Sequence, residues 1–240
     1  MIVEVCANSL QSALNAQKGG AHRIELCTEL GVGGITPSYG LLKKVKEQVK
    51  IPVHVLIRPR SGDFTYSDAE FQTMLEDIAL CVSLGFEGIV SGILKSDFEV
   101  DWERTEKLIR AGGQLSFTFH RAFDWVKEPE KTLLKLEELG VQTLLTSGQA
   151  KTATMGLPLL KKLNKMASRC VVMPGAGIRD TNALIFKEGG FKAIHLSATN
   201  AHENSELHTT LGMGSTVQLP DNKILLTDAD LVHKVIKCVN

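Results

Sequence analysis

An acidic residue precedes a cysteine by two positions twice near the start of the chain. Glu4 stands before Cys6 and Glu25 before Cys27, each pair in a short apolar run that predicts a β-strand. Neighbouring strands lie about 5 Å apart, so two cysteines at the ends of adjacent strands would come close together. Two thiolates at that separation suit a soft ion such as Cu(I), which prefers sulfur ligands. The alternative is that both cysteines pack as small buried hydrophobic side chains.

Two arginines flank a proline at residues 58–60. Proline does not donate to a sheet ladder and favours extended geometry in the residue before it, so a strand is predicted to end at Arg58. Arg58 and Arg60, beside Asp63 in the following turn, are candidates to clamp a carboxylate or phosphate in a bidentate manner. For Arg60 the competing interpretation is a surface ion pair with Asp63 or Asp124.

A histidine ends another predicted strand and is followed by an arginine and an aspartate, giving His120, Arg121 and Asp124. A carboxylate that holds one imidazole nitrogen fixes the tautomer and raises the basicity of the ring, as general acid–base catalysis requires. His120 is therefore a candidate to move a proton, with Glu25 or Asp124 as its carboxylate partner, and Arg121 is a candidate ligand-binding residue. A structural buried histidine is the alternative.

Glycines follow the seventh predicted strand at Gly175 and Gly177, and Ser197 follows the eighth. Glycines at this point let backbone N–H groups approach a phosphate, a site that barrel enzymes often build from their last two loops. The loop after the eighth strand lacks glycine, which weakens this hypothesis. HxH after the first strand, HExxH and HxxEH are all absent, which disfavours a histidine zinc hydrolase.

These residues are positioned by a regular alternation of short β-branched runs and longer segments of helical period. The predicted strands are residues 2–6, 23–27, 53–57, 88–91, 115–119, 143–146, 170–173 and 193–196, and the predicted helices are residues 9–18, 38–49, 67–84, 102–110, 130–139, 157–166 and 182–187. Eight βα units predict an α/β fold, a single (β/α)8 TIM barrel over residues 1–240. A doubly wound sheet is the rival, but neither GxGxxG nor GxxxxGK[ST] occurs.

Two features follow the eighth predicted strand. Residues 199–223 lack periodicity and form a long loop, which is typical of a functional loop, an oligomer contact or disorder. Residues 227–238 then predict a closing C-terminal helix capped by Thr227.

Alternation along the strands turns several polar side chains into the barrel. The side chains that face the helices must be apolar, which leaves the intervening residues inside. This predicts that the interior holds Glu4, Glu25, Arg58, His120 and His195, where Val, Ile and Leu are usual. Either these groups satisfy one another as a structural network, or they form a functional site at the C-terminal strand ends.

The composition excludes several classes of protein. Lysine and arginine number 27, and aspartate and glutamate also number 27, so no bulk charge favours nucleic acid. No apolar stretch approaches the roughly 18–20 residues of a membrane helix, and the first residues do not resemble a signal peptide. Five widely spaced cysteines without CxxC predict reduced thiols and a cytoplasmic protein.

Eight ordered segments along most of the chain carry a family resemblance. They are EVCANSLQSALNAQKGGAHRIELC, ELGVGGITPSYG, VLIRPRSGDFTYSD, FTFHRAFDW, LLTSG, GLPLLKKL, VVMPGAGI and HLSAT. In these segments the chain resembles the CutC family of copper homeostasis proteins. The resemblance implies a cytoplasmic TIM barrel that forms homodimers or higher homo-oligomers, and a Cu(I) site at the positions of Cys6 and Cys27.

Copper binding does not account for all of the predicted barrel mouth. A metal carrier has no obvious need for the polar group formed by Arg58, Arg60, Asp63, His120, Arg121 and Asp124. The alternative is therefore an enzyme of unknown reaction that acts on a small phosphorylated or carboxylated metabolite. A third possibility is a scaffold that acts through its outer helices.

Overall fold

A ring of eight parallel strands forms the centre of the molecule in the computed structural model, which describes residues 1–203 and 222–240. The strands of the ring are β1 (Ile2–Ala7), β2 (Arg23–Leu26), β3 (Val53–Leu56), β4 (Gly88–Ser91), β5 (Ser116–Phe119), β6 (Thr143–Thr146), β7 (Val171–Pro174) and β8 (Ala193–Leu196). From β1 to β7 each strand pairs with the next in the chain, and β8 pairs with β1. β7 lies against β8, so the predicted barrel is confirmed as a nearly closed one.

Helices alternate with the strands around the ring. They are α1 (Leu10–Lys18), α2 (Tyr39–Gln48), α3 (Asp68–Leu84), α4 (Trp102–Gly112), α5 (Pro129–Glu138), α6 (Leu157–Met166), α7 (Asp180–Glu188) and α8 (Ala229–Val239). The sequence signals for their starts are visible as contacts: Ser67 and Glu70 form a reciprocal capping box on α3, and Pro129 occupies the first turn of α5. Among the described helices none is both long and apolar enough to cross a membrane.

The start of the closing helix differs from the prediction. Asp228, not Thr227, caps α8, and its carboxylate accepts from the N–H groups of Asp230 and Leu231. Thr227 is still paired with Thr199 as the last residue of a strand, so its backbone is extended and the helix begins after it. α8 packs between α1 and α7 and completes the outer layer of helices.

The ends of the predicted long loop form a second, small sheet. β9 (Thr199–Glu203) pairs antiparallel with β10 (Lys223–Thr227), and residues 204–221 of the predicted long loop lie outside the described part of the chain. The side-chain amide of Asn8 donates to the carbonyl of Leu225, and that of Asn15 to the carbonyl of Thr227. These two contacts fasten β10 to the loop after β1 and to α1, beside the mouth of the barrel.

Strand alternation places the side chains as the sequence predicts. Val3, Val5 and Ile24 face the helices and are fully buried in the main core. The register pairs Cys6 with Glu25 and Glu4 with His195, so these polar residues share the inner face. Apolar side chains inside the ring form two small clusters, Cys6, Cys27, Leu56 and Val90 from β1–β4, and Leu145, Met173 and Ala193 from β6–β8.

Candidate functional site

A cavity of about 900 Å³ opens at the C-terminal ends of the strands. Parallel strands of a barrel deliver their following loops to this end, which is where such folds place their active sites. Its wall includes Cys6, Glu25, Arg58, His120, Arg121, Gly177, His195 and Ser197. The sequence named seven of these eight as candidate site residues, and it placed the eighth, His195, inside the barrel.

The two predicted thiols contact each other, and of the two only that of Cys6 lines the cavity, while Cys27 is fully buried behind it. Cys6 Sγ lies 3.1 Å from Cys27 Sγ and 3.4 Å from Glu25 Oε1. Both cysteines are buried and neither forms a disulfide. Ligand atoms of Cys6, Glu25 and His195 lie within 4.8 Å of one another, an arrangement that can hold a metal ion. This cluster offers one sulfur, one carboxylate oxygen and one imidazole nitrogen, and the sulfur of Cys27, next to that of Cys6, lies outside it.

His195 is held in place by a carboxylate on its far side. Its Nδ1 lies 2.8 Å from Glu4 Oε1, while the other oxygen of Glu4 accepts from Arg23 Nε. Burial opposes protonation of the ring, but the charge of Glu25 and the contacts with Cys6 and Glu4 raise the pKa of His195 well above its usual value, so Nε2 must lose a proton before it binds a metal ion. A carboxylate that fixes the tautomer and orientation of an imidazole is the usual support of a metal-binding histidine.

Burial and neighbouring charges shift the pKa values of Glu4, Glu25 and Cys6. Burial opposes ionisation of Glu4, but the hydrogen bond with His195 and the charge of Arg23 lower its pKa to about 2. The pKa of Glu25 is raised, mainly by burial. The Cys6 thiol has a pKa raised well above its usual value by its contact with Cys27 and by burial. A bound cation would reverse this preference and favour the thiolate.

Arg58 is a buried cation with neutral partners. Its Nη1 donates to the carbonyl oxygens of Val32 and Gly34, and its Nη2 to that of Gly62, each at 2.8 Å. Within the described residues no carboxylate reaches this guanidinium, and its Nε is buried without a partner. The ring of Phe64 covers it, with Cζ 5.1 Å from the ring centroid. An unpaired buried cation in a cavity wall favours an anionic ligand.

His120 lies next to this cation and is kept neutral. Burial, followed by the charge of Arg58, lowers its pKa to about 3. Its Nδ1 accepts from the backbone N–H of Ala122 at 3.2 Å. Its Nε2 is buried and has no partner among the described atoms, so it remains available to a ligand.

The predicted pairing of Asp124 with His120 is wrong. Asp124 accepts from the Thr146 hydroxyl, from the N–H and hydroxyl of Ser147, and from Arg121. These contacts arise because the short 3-10 helix of residues 121–125 turns the carboxylate toward the end of β6. Asp124 therefore organises a loop, and the structure brings only Glu25 of the two carboxylates to the cavity wall.

Arg60 and Asp63 also lie away from the cavity wall. Arg60 Nη2 contacts Asp63 Oδ1 at 3.1 Å, and Nε pairs with Glu70 at the start of α3. The Asp63 carboxylate also accepts from the Thr65 N–H. The anion clamp predicted from Arg60 is therefore not formed, because nearby carboxylates occupy its guanidinium. The surface pairing with Asp63 that the sequence left open is the one observed.

The loops after β7 and β8 differ in what they offer to a ligand. Ala176 and Gly177 both have positive φ, 83° and 73°. The N–H groups of Gly177 and Ile178 have no acceptor among the described residues. Gly175 serves packing, because a Cβ there would lie 2.6 Å from Leu145 Cδ1. Ser197 lines the cavity, with its Oγ 3.4 Å from that of Thr199.

Sequence reasoning missed two parts of the cavity wall. Phe64 and Trp125 form an aromatic edge, with ring centroids 4.8 Å apart, and Leu231 and Val235 of α8 line another side. Neither part had a clear signal, because aromatic residues in loops and apolar residues on a helix usually indicate packing. The partnership of His195 with Cys6 was also missed, since 189 positions separate them along the chain.

Comparison with known proteins assigns the family. The family model described as the CutC family matches residues 1–200. The CutC family protein of Salmonella paratyphi A (strain ATCC 9150 / SARB42) is 47% identical over 197 residues, which cover 82% of this chain and 79% of that protein. The corresponding protein of Salmonella typhi is also 47% identical, with coverage of 82% and 76%. The chain belongs to the CutC family.

Solved structures agree with this assignment. The copper homeostasis protein CutC from Streptococcus agalactiae is 34% identical, with a TM-score of 0.78, and the match covers 82% of this chain and 98% of that one. A thiamine phosphate pyrophosphorylase from Pyrococcus furiosus matches 99% of this chain and 95% of its own with a TM-score of 0.63, but only 15% identity. The second likeness shows the barrel fold alone.

Proposed function

We propose that this protein binds Cu(I) through the thiols of Cys6 and Cys27, with His195 Nε2 as a third ligand, and serves copper homeostasis in the cytoplasm. The observation that carries the proposal is the 3.1 Å contact between the Cys6 sulfur, which lines the cavity, and the buried sulfur of Cys27. The homeostasis role is taken from the Streptococcus agalactiae relative, which is described as a copper homeostasis protein.

The chemistry of the donors supports Cu(I) over harder ions. Two sulfurs and one imidazole form a soft set, whereas Mg²⁺ and Ca²⁺ require several oxygens. Glu25 is the one hard donor of the group, and its raised pKa makes it a poor ligand and a better hydrogen-bond partner for Cys6. A reducing compartment keeps both the thiols and Cu(I) in the state that the site needs.

The test is an anaerobic Cu(I) titration against a competing chelator. We expect one equivalent of Cu(I) to bind to the wild type, and Cys6→Ser/Cys27→Ser to lose that binding. Cys238→Ser is the matched control, because Cys238 lies on α8, away from the cavity. Stoichiometric binding that survives in the double variant would refute the proposal. Sedimentation of the same samples would measure the homo-oligomer that the family resemblance leads us to expect.

Arg58 favours a second candidate function, an enzyme that acts on a small anionic metabolite. In this hypothesis Arg58 binds the anion, the N–H groups of Gly177 and Ile178 donate to it, and the neutral imidazole of His120 moves the proton, with Glu25 as the nearby acid. Thermal shift with a panel of phosphorylated and carboxylated metabolites would test it. Stabilisation of the wild type that Arg58→Ala and His120→Ala lack would support it, and a flat response of the wild type would contradict it.

A further inference from the structure

We propose that Cu(I) is held in this cavity together with a small carboxylate that carries a thiol. The sulfur of this ligand shares the ion with Cys6 and Cys27, and its carboxylate pairs with Arg58. This inference rests on the proposed copper function and adds the form in which the ion arrives.

The size of the cavity is the first reason. Its volume of about 900 Å³ lies within the roughly 300–1,000 Å³ of pockets that take small organic molecules. An ion at Cys6 and His195 would occupy one part of the wall only. The remaining space reaches Arg58, His120 and the N–H groups of Gly177, all of which are polar. An organic ligand there would exclude water from the ion and use these groups.

The charge of Arg58 is the second reason. A buried guanidinium is costly to leave without an anion, and in the described structure its partners are three carbonyl oxygens. A carboxylate is the anion whose shape matches the guanidinium. The adjacent His120 adds no charge, because its pKa is about 3, but its Nε2 offers a hydrogen-bonding position to the same ligand.

Arg58 and the Cys6 thiol line the same cavity. Cys27 is fully buried and is not part of the wall, but its sulfur lies 3.1 Å from that of Cys6. A small molecule that carries both a carboxylate and a thiol could therefore reach Arg58 and an ion at Cys6 from inside one cavity.

Transfer of Cu(I) to the protein is an exchange of ligands in which the oxidation state of copper does not change. The ion arrives bound to two molecules of the small thiolate. Cys6 and Cys27 lose their protons and bind the ion, one small thiolate stays, and the other leaves with one of the two protons as a free thiol. The second proton goes to solvent, and copper remains Cu(I). The product carries two negative charges on the metal centre, which Arg58 partly offsets.

The experiment uses protein loaded anaerobically with one equivalent of Cu(I), titrated in a calorimeter and examined by native mass spectrometry. The probes are mercaptosuccinate, the neutral thiol 2-mercaptoethanol, and succinate, which lacks sulfur. We expect mercaptosuccinate to bind the loaded wild type at least tenfold more tightly than either other probe, as a one-to-one-to-one complex. Arg58→Gln should keep its Cu(I) and lose this preference, while Arg60→Gln, at the paired surface arginine, should retain it.

The outcomes separate this inference from the copper function. If the wild type holds Cu(I) but binds mercaptosuccinate no better than 2-mercaptoethanol, the inference is overturned and the copper function stands. If succinate binds apo and loaded protein as tightly as mercaptosuccinate does, the cavity takes anions independently of copper, which also overturns it. If the wild type does not retain Cu(I), both the copper function and this inference are refuted. If Arg58→Gln does not fold, the relative affinities of the three probes for the wild type still test the inference.

Discussion

Glu4 and Glu25 occupy equivalent places on the neighbouring strands β1 and β2, yet only Glu4 has both carboxylate oxygens paired. Arg23 and His195 hold Glu4, whereas Glu25 Oε2 is buried without a partner and its other oxygen accepts from Cys6. The pKa of Glu4 is lowered to about 2 and that of Glu25 is raised. The same local pattern thus gives a closed ion-pair network at Glu4 and an incompletely paired carboxyl group at Glu25.

The difference shows how a barrel interior combines stability with function. Glu4 is one strand step deeper than Cys6 and lies outside the cavity wall, as Arg23 does, whereas its other partner, His195, lines the cavity. The layer at Cys6 and Glu25 faces the cavity, where Glu25 Oε2 is buried without a partner among the described atoms. An unsatisfied buried group of this kind costs free energy. We expect mutations in the two layers to differ accordingly.

The largest expected effect is on stability when the deeper carboxylate is removed. Glu4→Gln leaves Arg23 and His195 without their anion, and breaking a buried ion pair costs about 3–5 kcal/mol. Glu25→Gln replaces a group that is already shifted toward its neutral form, so it should cost less than about 1 kcal/mol. Urea unfolding of both variants at neutral pH measures the contrast. Equal losses would show that the two layers are not distinct.

The next effect is on the pH dependence of stability. Below pH 6.5 an unfolded histidine takes up a proton that His120, with its pKa of about 3, does not take up in the folded protein. This difference in proton uptake should lower the free energy of unfolding by about 1.4 kcal/mol for each pH unit well below 6.5. Between pH 6.5 and 5 the wild type should lose about 2 kcal/mol more than His120→Gln.

Urea titrations at several pH values test this, with His233→Gln as the control on the exposed face of α8. The control should follow the wild type. A His120→Gln curve parallel to the wild type would mean that His120 is protonated in the folded state, and the cavity would then carry a second cation beside Arg58.

The smallest expected effect is a difference in stability between alanine variants at the adjacent residues Gly33 and Gly34. Gly33 and Gly34 have φ of 86° and 85°, so alanine strains the backbone at both, at a cost of about 1 kcal/mol. A Cβ at Gly34 would also lie 2.8 Å from Leu56 Cδ2 and 3.2 Å from Cys27 Cβ, whereas at Gly33 the nearest atom is Arg58 Nη1 at 3.5 Å.

We expect Gly34→Ala to be less stable than Gly33→Ala by about a further 1 kcal/mol, because it overpacks the cluster around Cys27. Chemical unfolding of the pair measures this difference, and a Cu(I) titration should show weaker binding in Gly34→Ala only. Identical behaviour of the two variants would mean that Cys27 has room to move, and that its position is not fixed by the loop after β2.

Local signals account for most of the predicted elements. β-branched runs, the serine caps and Pro129 act within a few residues, so the strands and helices follow the sequence to within two or three residues at each end. The exception at Asp228 has a long-range cause, since pairing of Thr227 with Thr199 keeps its backbone extended. The inward direction of Glu4, Cys6, Glu25 and Cys27 was also predictable, because alternation along a strand is a local property.

The sequence by itself therefore determined the eight βα units and which polar residues enter the barrel. Only the tertiary structure decided how those residues pair. Closure of β8 onto β1 brings His195 to Glu4, α3 delivers Glu70 to Arg60, and the end of β6 takes Asp124 away from His120. Side-chain direction depends on the residue's own strand, but pairing depends on register between segments far apart in the chain. Nothing in the local pattern encodes that register.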